Sequence, residues 1–96
     1  MNVRFHPDAE AELAESTEYY EAIEPGLGWD FALEVHSAIE RANSHPAAWT
    51  VLEGDIRRSL VRRFPFGVLY AFENEDIFVL AVMHLHREPN YWKNRL

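Results

Sequence analysis

The chain has 96 residues, of which 48% are hydrophobic and 14% aromatic, and its formal net charge is −7. This length and apolar content exclude a disordered chain and predict a single domain over residues 1–96 with a modest core. The absence of cysteine excludes disulfides, thiolate zinc sites and a cysteine nucleophile.

The location of the protein is predicted from two stretches of sequence. The opening segment, MNVRFHPDAEAEL, lacks a basic region followed by an apolar run, so we expect no signal peptide. The longest apolar run, residues 77–85, has half the length that a membrane-spanning helix needs. We therefore expect a cytoplasmic protein with no membrane contact.

Charge is divided unevenly along the chain. Residues 1–55 contain 12 acidic side chains and only two basic ones, whereas residues 56–96 contain seven basic and four acidic ones. The basic excess in the second half suggests a working surface for an anionic partner, although solvated acidic helices beside an ordinary sheet explain the same asymmetry. The overall charge argues against general nucleic-acid binding.

The first half of the sequence predicts a short strand and a helical hairpin. Val3–Phe5 alternates with polar neighbours, and Pro7 then suits the first position of a helix. Small and apolar side chains recur every three or four residues from 9 to 23 and again from 31 to 42, which indicates two amphipathic helices. Between them, residues 25–28 (Pro-Gly-Leu-Gly) must form a turn.

The second half predicts an antiparallel sheet. After a linker over residues 47–55, three apolar runs separated by turn residues indicate strands at Ile56–Phe64, Val68–Phe72 and Ile77–Leu85. Their short connections favour an antiparallel meander. The last run is apolar on both alternating sets, so we expect it to be covered on both faces. The fold class is therefore α+β, with an N-terminal strand and a helical hairpin packed on a small antiparallel sheet.

One cluster of side chains has the potential for chemistry. His84 and His86 share a strand face and could transfer protons, Arg87 could hold a phosphate, and Tyr91 could stack on a base or donate a proton. Together these residues could cleave RNA. The alternative is structural: the histidines cap the strand, Arg87 pairs with a carboxylate, and Tyr91 and Trp92 close the core. Two histidines are too few for a catalytic zinc site, so we assign no metal.

Four arginines lie in the first run of the predicted sheet. Arg57, Arg58, Arg62 and Arg63 flank Leu60 and would emerge on both faces of one strand. They could bind an acidic peptide or a nucleic-acid backbone. Protection of an exposed edge strand is the other explanation.

The whole chain resembles the RelE/ParE superfamily of bacterial toxins, the toxic halves of type II toxin–antitoxin pairs. Five segments carry the resemblance: FHPDAEAELAESTEYYE, EPGLGWDFALEV, SHPAAW, RRSLVRRFPFGVLYAF and VLAVMHLHREPNYW. It implies a helical hairpin on a small sheet, no cofactor, and a cognate antitoxin as partner. It also implies either a homodimer or a toxin–antitoxin hetero-oligomer. The antitoxin is expected to be acidic in its contact segment and to cover the four arginines or the groove beside the hairpin, with Trp92 in the partner surface.

The resemblance implies two kinds of target. RelE-like members cut messenger RNA on the ribosome, and ParE-like members inhibit DNA gyrase. Two arginines of the RelE-like site fall here on Gly67 and Leu85, whereas the C-terminal tyrosine of that site falls on Tyr91. The acidic composition and the ending with Pro89 and Trp92 resemble the ParE side.

Three functions follow from this resemblance. We expect a ParE-like toxin that inhibits a macromolecular target such as gyrase. The alternatives are a ribosome-dependent endoribonuclease using His84, His86, Arg87 and Tyr91, and a degenerate member that binds antitoxin without being toxic.

Overall fold

The computed structural model describes residues 2–96 and confirms the α+β class. Its elements are β1 (Val3–Phe5), α1 (Pro7–Ile23), α2 (Leu27–Ser44), β2 (Thr50–Glu53), β3 (Ile56–Leu60), β4 (Phe66–Glu73), β5 (Asp76–His84) and a 3₁₀ turn (Lys93–Arg95). The strand order in the sheet is β1-β5-β4-β3-β2. Strand β1 pairs in parallel with β5, and the other neighbours are antiparallel, so the sheet is mixed.

The two helices form the predicted hairpin, and its turn depends on glycine. Gly26 has φ of 90°, a left-handed conformation that side-chain-bearing residues avoid. Gly28 lets the helices approach closely, because a Cβ there would lie 2.5 Å from the Thr17 carbonyl oxygen. The Glu21 carboxylate accepts hydrogen bonds from the Gly26 and Gly28 amides and so caps the start of α2. Neither helix in residues 2–96 is long and apolar enough to cross a membrane.

The sheet differs from the prediction on the side of β2 and β3. The predicted linker contains β2, whose four residues are all exposed and therefore have no alternation that a sequence pattern could reveal. Strand β3 ends at Leu60 instead of Phe64, because the chain turns through residues 61–65 before β4 begins. Strand β3 is also not an edge strand, since β2 pairs along its outer side.

The sheet has two faces that are covered differently. The helix face packs against α1 and α2, and its core includes Phe31, Val35, Phe66, Val68, Tyr70, Val79 and Val82. The opposite face, here called the tail face, packs against the segment that follows β5. Its core consists of Ile56, Leu69, Ala71, Leu80, Ala81, Met83 and Trp92. The burial of β5 on both faces, predicted from its continuous apolar run, is therefore confirmed.

Candidate functional site

A groove of about 420 Å³ runs between α1 and the C-terminal end of β5. We call it the α1–β5 groove, and its lining residues are Glu12, Glu15, Ser16, Tyr19, Tyr20, Ile23, Phe66, Val82, His84 and Arg87. On the α1 side, Tyr19 is 64% exposed and Ile23 is 59% exposed. Two large apolar side chains exposed together beside a concavity are typical of a binding surface.

The floor of the α1–β5 groove is anchored in the core. The Tyr20 ring packs edge-on against Phe64 with centroids 4.9 Å apart, and it lies 5.1 Å from the Phe31 ring. Burial raises the pKa of Tyr20 above its ordinary value of 10.0, as expected for a phenol packed against the aromatic core. The part of α1 that carries the exposed side chains of Tyr19 and Ile23 is therefore held in place by the packing of Tyr20 in the aromatic core.

Of the two histidines of the predicted site, His84 lines this groove, and His86 lies next to it in the turn after β5. The ring centroids of His84 and His86 are 5.3 Å apart, and the His86 amide donates to His84 Nδ1 at 3.1 Å. The His84 ring also packs edge-on against Phe66 at 5.1 Å. The structure thus brings together His84, His86 and Arg87. Among residues 2–96, no third metal-ligating side chain joins them.

Tyr91 is close to these residues, but its hydroxyl is already engaged. The Tyr91 hydroxyl donates to Glu12 Oε2 at 2.7 Å, and the Arg87 guanidinium lies 4.0 Å from the centroid of the Tyr91 ring. Burial, followed by the hydrogen bond to Glu12, raises the pKa of Tyr91 above its ordinary value of 10.0. A phenol held protonated by a carboxylate is poorly suited to accept or release a proton at neutral pH.

Glu12 also forms a buried ion pair that the sequence analysis missed. Both Glu12 carboxylate oxygens accept from the Arg95 guanidinium, at 2.9 and 3.0 Å. The side chains of Arg95 and Glu12 are only 9% and 14% exposed. The hydrogen bond to Glu12 is the main cause that raises the pKa of Arg95. We call Glu12, Tyr91 and Arg95 the clamp, because they fasten the C-terminal segment to α1.

The clamp also satisfies backbone groups on β5 where β1 has ended. Strand β1 pairs only as far as Val79, and a register shift between β4 and β5 follows at that point. Beyond it, Arg95 donates to the Leu80 carbonyl at 3.0 Å, and Glu12 accepts from the Val82 amide at 3.0 Å. An unpaired strand edge needs such partners when it is covered. The ion pair thus takes the place of a neighbouring strand.

The four predicted partner-binding arginines do not form one surface. Arg57 lies on the helix face and donates to the Trp49 carbonyl at 2.7 Å, whereas Arg58 lies on the tail face. Arg62 and Arg63 lie in the turn after β3, and Arg63 pairs with Asp30 at 3.6 Å. Alternation along β3 separates the first two, and the early end of the strand separates the others. The prediction that one strand holds all four arginines is therefore wrong, and edge protection does not explain them, since β3 is not an edge strand. Their partner-binding role stays a prediction.

Trp92, the fifth predicted partner-binding residue, belongs to the core of the tail face. Its side chain is 2% exposed, and its indole Nε1 donates to the Pro89 carbonyl at 2.9 Å. A side chain this deeply buried offers no surface to a partner. Its structural role agrees with the alternative that Tyr91 and Trp92 close the core.

The positions that correspond to the RelE-like arginines lie away from the histidines. Gly67 and Leu85 approach each other on the tail face, where a Cβ on Gly67 would lie 3.6 Å from Leu85 Cδ2. His84 instead lines the α1–β5 groove on the helix face. The groups that a RelE-like nuclease would combine are therefore either missing or divided between the two faces.

Comparisons with known proteins agree with this fold. The family model described as ParE toxin of type II toxin-antitoxin system, parDE, matches residues 3–89. A solved structure titled "Chromosomal ParDE TA system from P. aeruginosa" superposes with a TM-score of 0.76 at 16% sequence identity, covering 90% of this chain and 97% of that chain. At this identity the likeness concerns the fold alone. No curated protein sequence matches the chain.

Proposed function

Because the chain belongs to the ParE toxin family of type II toxin–antitoxin systems, we propose that it inhibits DNA gyrase in the cytoplasm and cleaves no RNA. The observation that carries the second part is the engagement of Tyr91, whose hydroxyl is bound to Glu12 at 2.7 Å. Without a free tyrosine, and with Gly67 and Leu85 in the two other positions, the RelE-like set of groups is incomplete. A toxin that acts by binding needs no such set.

A test of the target follows growth, transcript integrity and plasmid supercoiling in one culture that expresses the chain without antitoxin. We expect growth to stop while plasmid supercoiling changes and transcripts stay intact. Rapid transcript cleavage with normal supercoiling would overturn the proposal. Unchanged growth would identify a degenerate member of the family.

The endoribonuclease is kept as a second candidate because the His84 and His86 rings pack edge-to-face, with centroids 5.3 Å apart, beside Arg87. Replacing both histidines by alanine separates the two functions. A gyrase inhibitor that stays folded should keep its toxicity, whereas a nuclease that transfers protons through imidazole should lose it by at least about 100-fold. Replacing His36, an exposed histidine on α2, provides the matched control.

Deleting residues 89–96 is not a useful test of target binding. The deletion would remove Trp92 from the core of the tail face and Arg95 from the clamp. Loss of toxicity would then report unfolding. Substitutions at exposed positions avoid this ambiguity.

We propose that the cognate antitoxin binds in the α1–β5 groove. Tyr19 and Ile23 supply exposed apolar contact area, and Arg87 at the rim provides a positive charge for an acidic side chain. We expect an amphipathic antitoxin segment with apolar side chains over Tyr19 and Ile23. Of the two predicted antitoxin-binding surfaces, we propose the groove, because the four arginines do not share a surface.

Two double variants test the antitoxin site. Tyr19→Ala with Ile23→Ala should keep growth inhibition but lose at least about tenfold in affinity for the antitoxin, because two exposed apolar anchors are removed. Trp29→Ala with Leu33→Ala is the matched control, since these side chains are 67% and 46% exposed on α2, outside the groove. Equal neutralisation of both double variants by co-expressed antitoxin would move the antitoxin site elsewhere.

A further inference from the structure

A second groove lies along α1, on the opposite side of this helix from the α1–β5 groove. We call it the hairpin groove, because α1 and α2 both contribute to it. It measures about 560 Å³ and is lined by Phe5, Glu10, Leu13, Ala14, Thr17, Glu18 and Ala32. Its α1 positions recur every three or four residues and share no residue with the α1–β5 groove. The two grooves are therefore separate surfaces.

Small side chains on a firm floor give the hairpin groove its shape. The two helices approach closely beside Thr17, and the lining residues Ala14 and Ala32 project little from their helices. Leu13 and Phe5 are partly buried and pack against the core of the helix face. Because the floor is held by the core, a large apolar side chain of a partner could enter the depression without unfolding the hairpin.

The rim of the hairpin groove is negatively charged. Residues 7–40 contain ten acidic side chains and no lysine or arginine. Two of these acids, Glu10 and Glu18, line the groove and are exposed. Ion pairs within residues 2–96 involve neither of them. The groove thus combines an uncharged lining with two carboxylates that are available to a cationic partner.

Charge complementarity selects the occupant of the groove. A second copy of the chain would bring the same acidic helices against it, and a nucleic acid or an acidic peptide would also be repelled. A basic amphipathic helix fits both features, since its apolar face can enter the groove while its lysines or arginines meet Glu10 and Glu18. The lengths agree as well. Apolar side chains at i, i+4 and i+7 span about 10.5 Å, and the α1 axis rises about 12 Å from Glu10 to Glu18.

From the shape of the hairpin groove, its unpaired acidic rim and the matching length, we infer that it binds a basic amphipathic helix of a partner protein. The acidic antitoxin segment expected in the α1–β5 groove is not this partner, because the rim would repel it. The inference does not depend on the identity of the toxin's target, since a chain that spares gyrase would keep the same groove.

The test is the binding of three labelled helical peptides of about 18 residues to the intact protein, followed by fluorescence anisotropy at about 0.15 M salt. One peptide places leucines on one face and lysines on the other, the second has the same composition in scrambled order, and the third replaces lysine by glutamate. We expect saturable binding of the first, and binding of the other two that is weaker by at least about tenfold. Equal binding of the scrambled peptide would mean that charge alone attracts it and would overturn the inference.

Two variants with matched controls locate the peptide. Glu10→Lys with Glu18→Lys should weaken binding by at least about tenfold, because the rim now repels the peptide. Glu73→Lys with Glu75→Lys makes the same change in net charge at exposed positions outside the groove and should bind normally. Equal loss in both double variants would show that only the overall charge matters and would overturn the inference.

A second pair of variants tests the shape without changing the charge. Ala14→Trp should fill the depression and weaken binding by at least about tenfold. Ala22→Trp, at an exposed position two turns further along α1, should not. Equal binding by both variants would place the peptide elsewhere. A dimer of the chain alone that Ala14→Trp dissociates in sedimentation velocity would assign the groove to a second copy and so would also overturn the inference.

Discussion

The helix face and the tail face of the sheet are stabilised by different means. On the helix face, Tyr20 of α1 and Phe31 of α2 are in ring contact with each other and with Phe64 of the turn after β3. On the tail face, a short C-terminal segment contributes one large side chain, Trp92, and is fastened by a polar clamp. Apolar burial is non-directional, whereas the clamp depends on hydrogen-bond geometry. We therefore expect that a single substitution can unfold the tail face locally, whereas the helix face should unfold as one cooperative unit.

The largest expected losses of stability come from removing one large buried side chain from each face. Trp92→Ala should lower the free energy of unfolding by about 3–5 kcal/mol, because a fully buried indole is removed and leaves a cavity. Phe31→Ala should have an effect of the same order on the helix face, where the side chain is 0% exposed. Urea denaturation gives both values. Trp29→Ala, at 67% exposure, is the control and should change stability by less than about 0.5 kcal/mol.

Hydrogen exchange distinguishes the two losses. In Trp92→Ala, we expect amides of the C-terminal segment to lose protection before those of α1 and α2. In Phe31→Ala, protection should fall across both helices together. If both variants lose protection uniformly, the two faces form one cooperative unit and the contrast between them does not hold.

The next effect concerns the clamp. Glu12→Gln should cost about 2–3 kcal/mol, because it leaves the Arg95 guanidinium, at 9% side-chain exposure, with only the exposed Asp8 carboxylate at 3.6 Å as a counter-charge. Glu15→Gln, an exposed acid on the same helix, is the matched control. Urea denaturation and a double-mutant cycle with Arg95→Met measure the coupling between the two groups. A cost for Glu12→Gln no larger than that for Glu15→Gln would mean that packing alone fastens the tail.

The sequence predicts the apolar packing of the helix face better than it predicts the polar clamp of the tail face. Both helices and four of the five strands were predicted, because their apolar residues recur with a regular period. The clamp was missed because Glu12 and Arg95 lie 83 residues apart, and no local pattern connects them. Glu12 looked like one of several acids on the solvated side of α1. Its only distinguishing signal is its spacing beside Ala9 and Leu13, on the inner edge of that helix.

The candidate site was predictable only in part, for the same reason. Strand alternation predicted His84 and His86 on one strand face. Their rings do lie 5.3 Å apart, but β5 ends at His84, so His86 reaches this position from the turn that follows the strand. The partner role of Trp92 was wrong because an aromatic residue near a terminus has the same appearance in sequence whether it binds a partner or fills a core. Alternation also assigned the arginines to one strand, but the turn at residues 61–65 interrupts it. Such turns depend on tertiary pairing that a single sequence does not reveal.

A smaller effect is expected at alkaline pH. The pKa of Tyr91 is raised in the folded state, mainly by burial, so its contribution to stability is complete below about pH 10 and declines as the pH rises further. Unfolding free energies at about pH 8 and pH 11 should therefore differ. In Tyr91→Phe this alkaline loss should be smaller, because the titrating group is gone. Tyr70→Phe makes the same comparison on the helix face, where burial also raises the pKa.

An alkaline loss that is unchanged in Tyr91→Phe would mean that the clamp does not respond to the protonation state of this tyrosine. If Tyr70→Phe alone removed the loss, the helix face would be the pH-sensitive one. Either result would contradict the view that the tail face depends on the hydrogen bonds of the clamp more than the helix face depends on its own. The measurement is informative because both phenols hydrogen-bond to oxygen acceptors, Glu12 Oε2 and the Pro46 carbonyl.

The smallest effect concerns the turn between β4 and β5. This turn packs on neither face, so substitutions in it measure the effect of backbone conformation on the free energy of unfolding without a change in core packing. Asn74 and Glu75 have φ of 52° and 66°, as a two-residue type I′ turn requires. Glu75→Gly should stabilise the protein by about 0.5 kcal/mol, because relief of the left-handed strain exceeds the entropy that glycine adds to the unfolded chain. Glu73→Gly, in the extended strand two residues earlier, should destabilise it by about 0.5–1 kcal/mol. Opposite signs in urea denaturation would confirm that the turn geometry is responsible, and equal signs would contradict it.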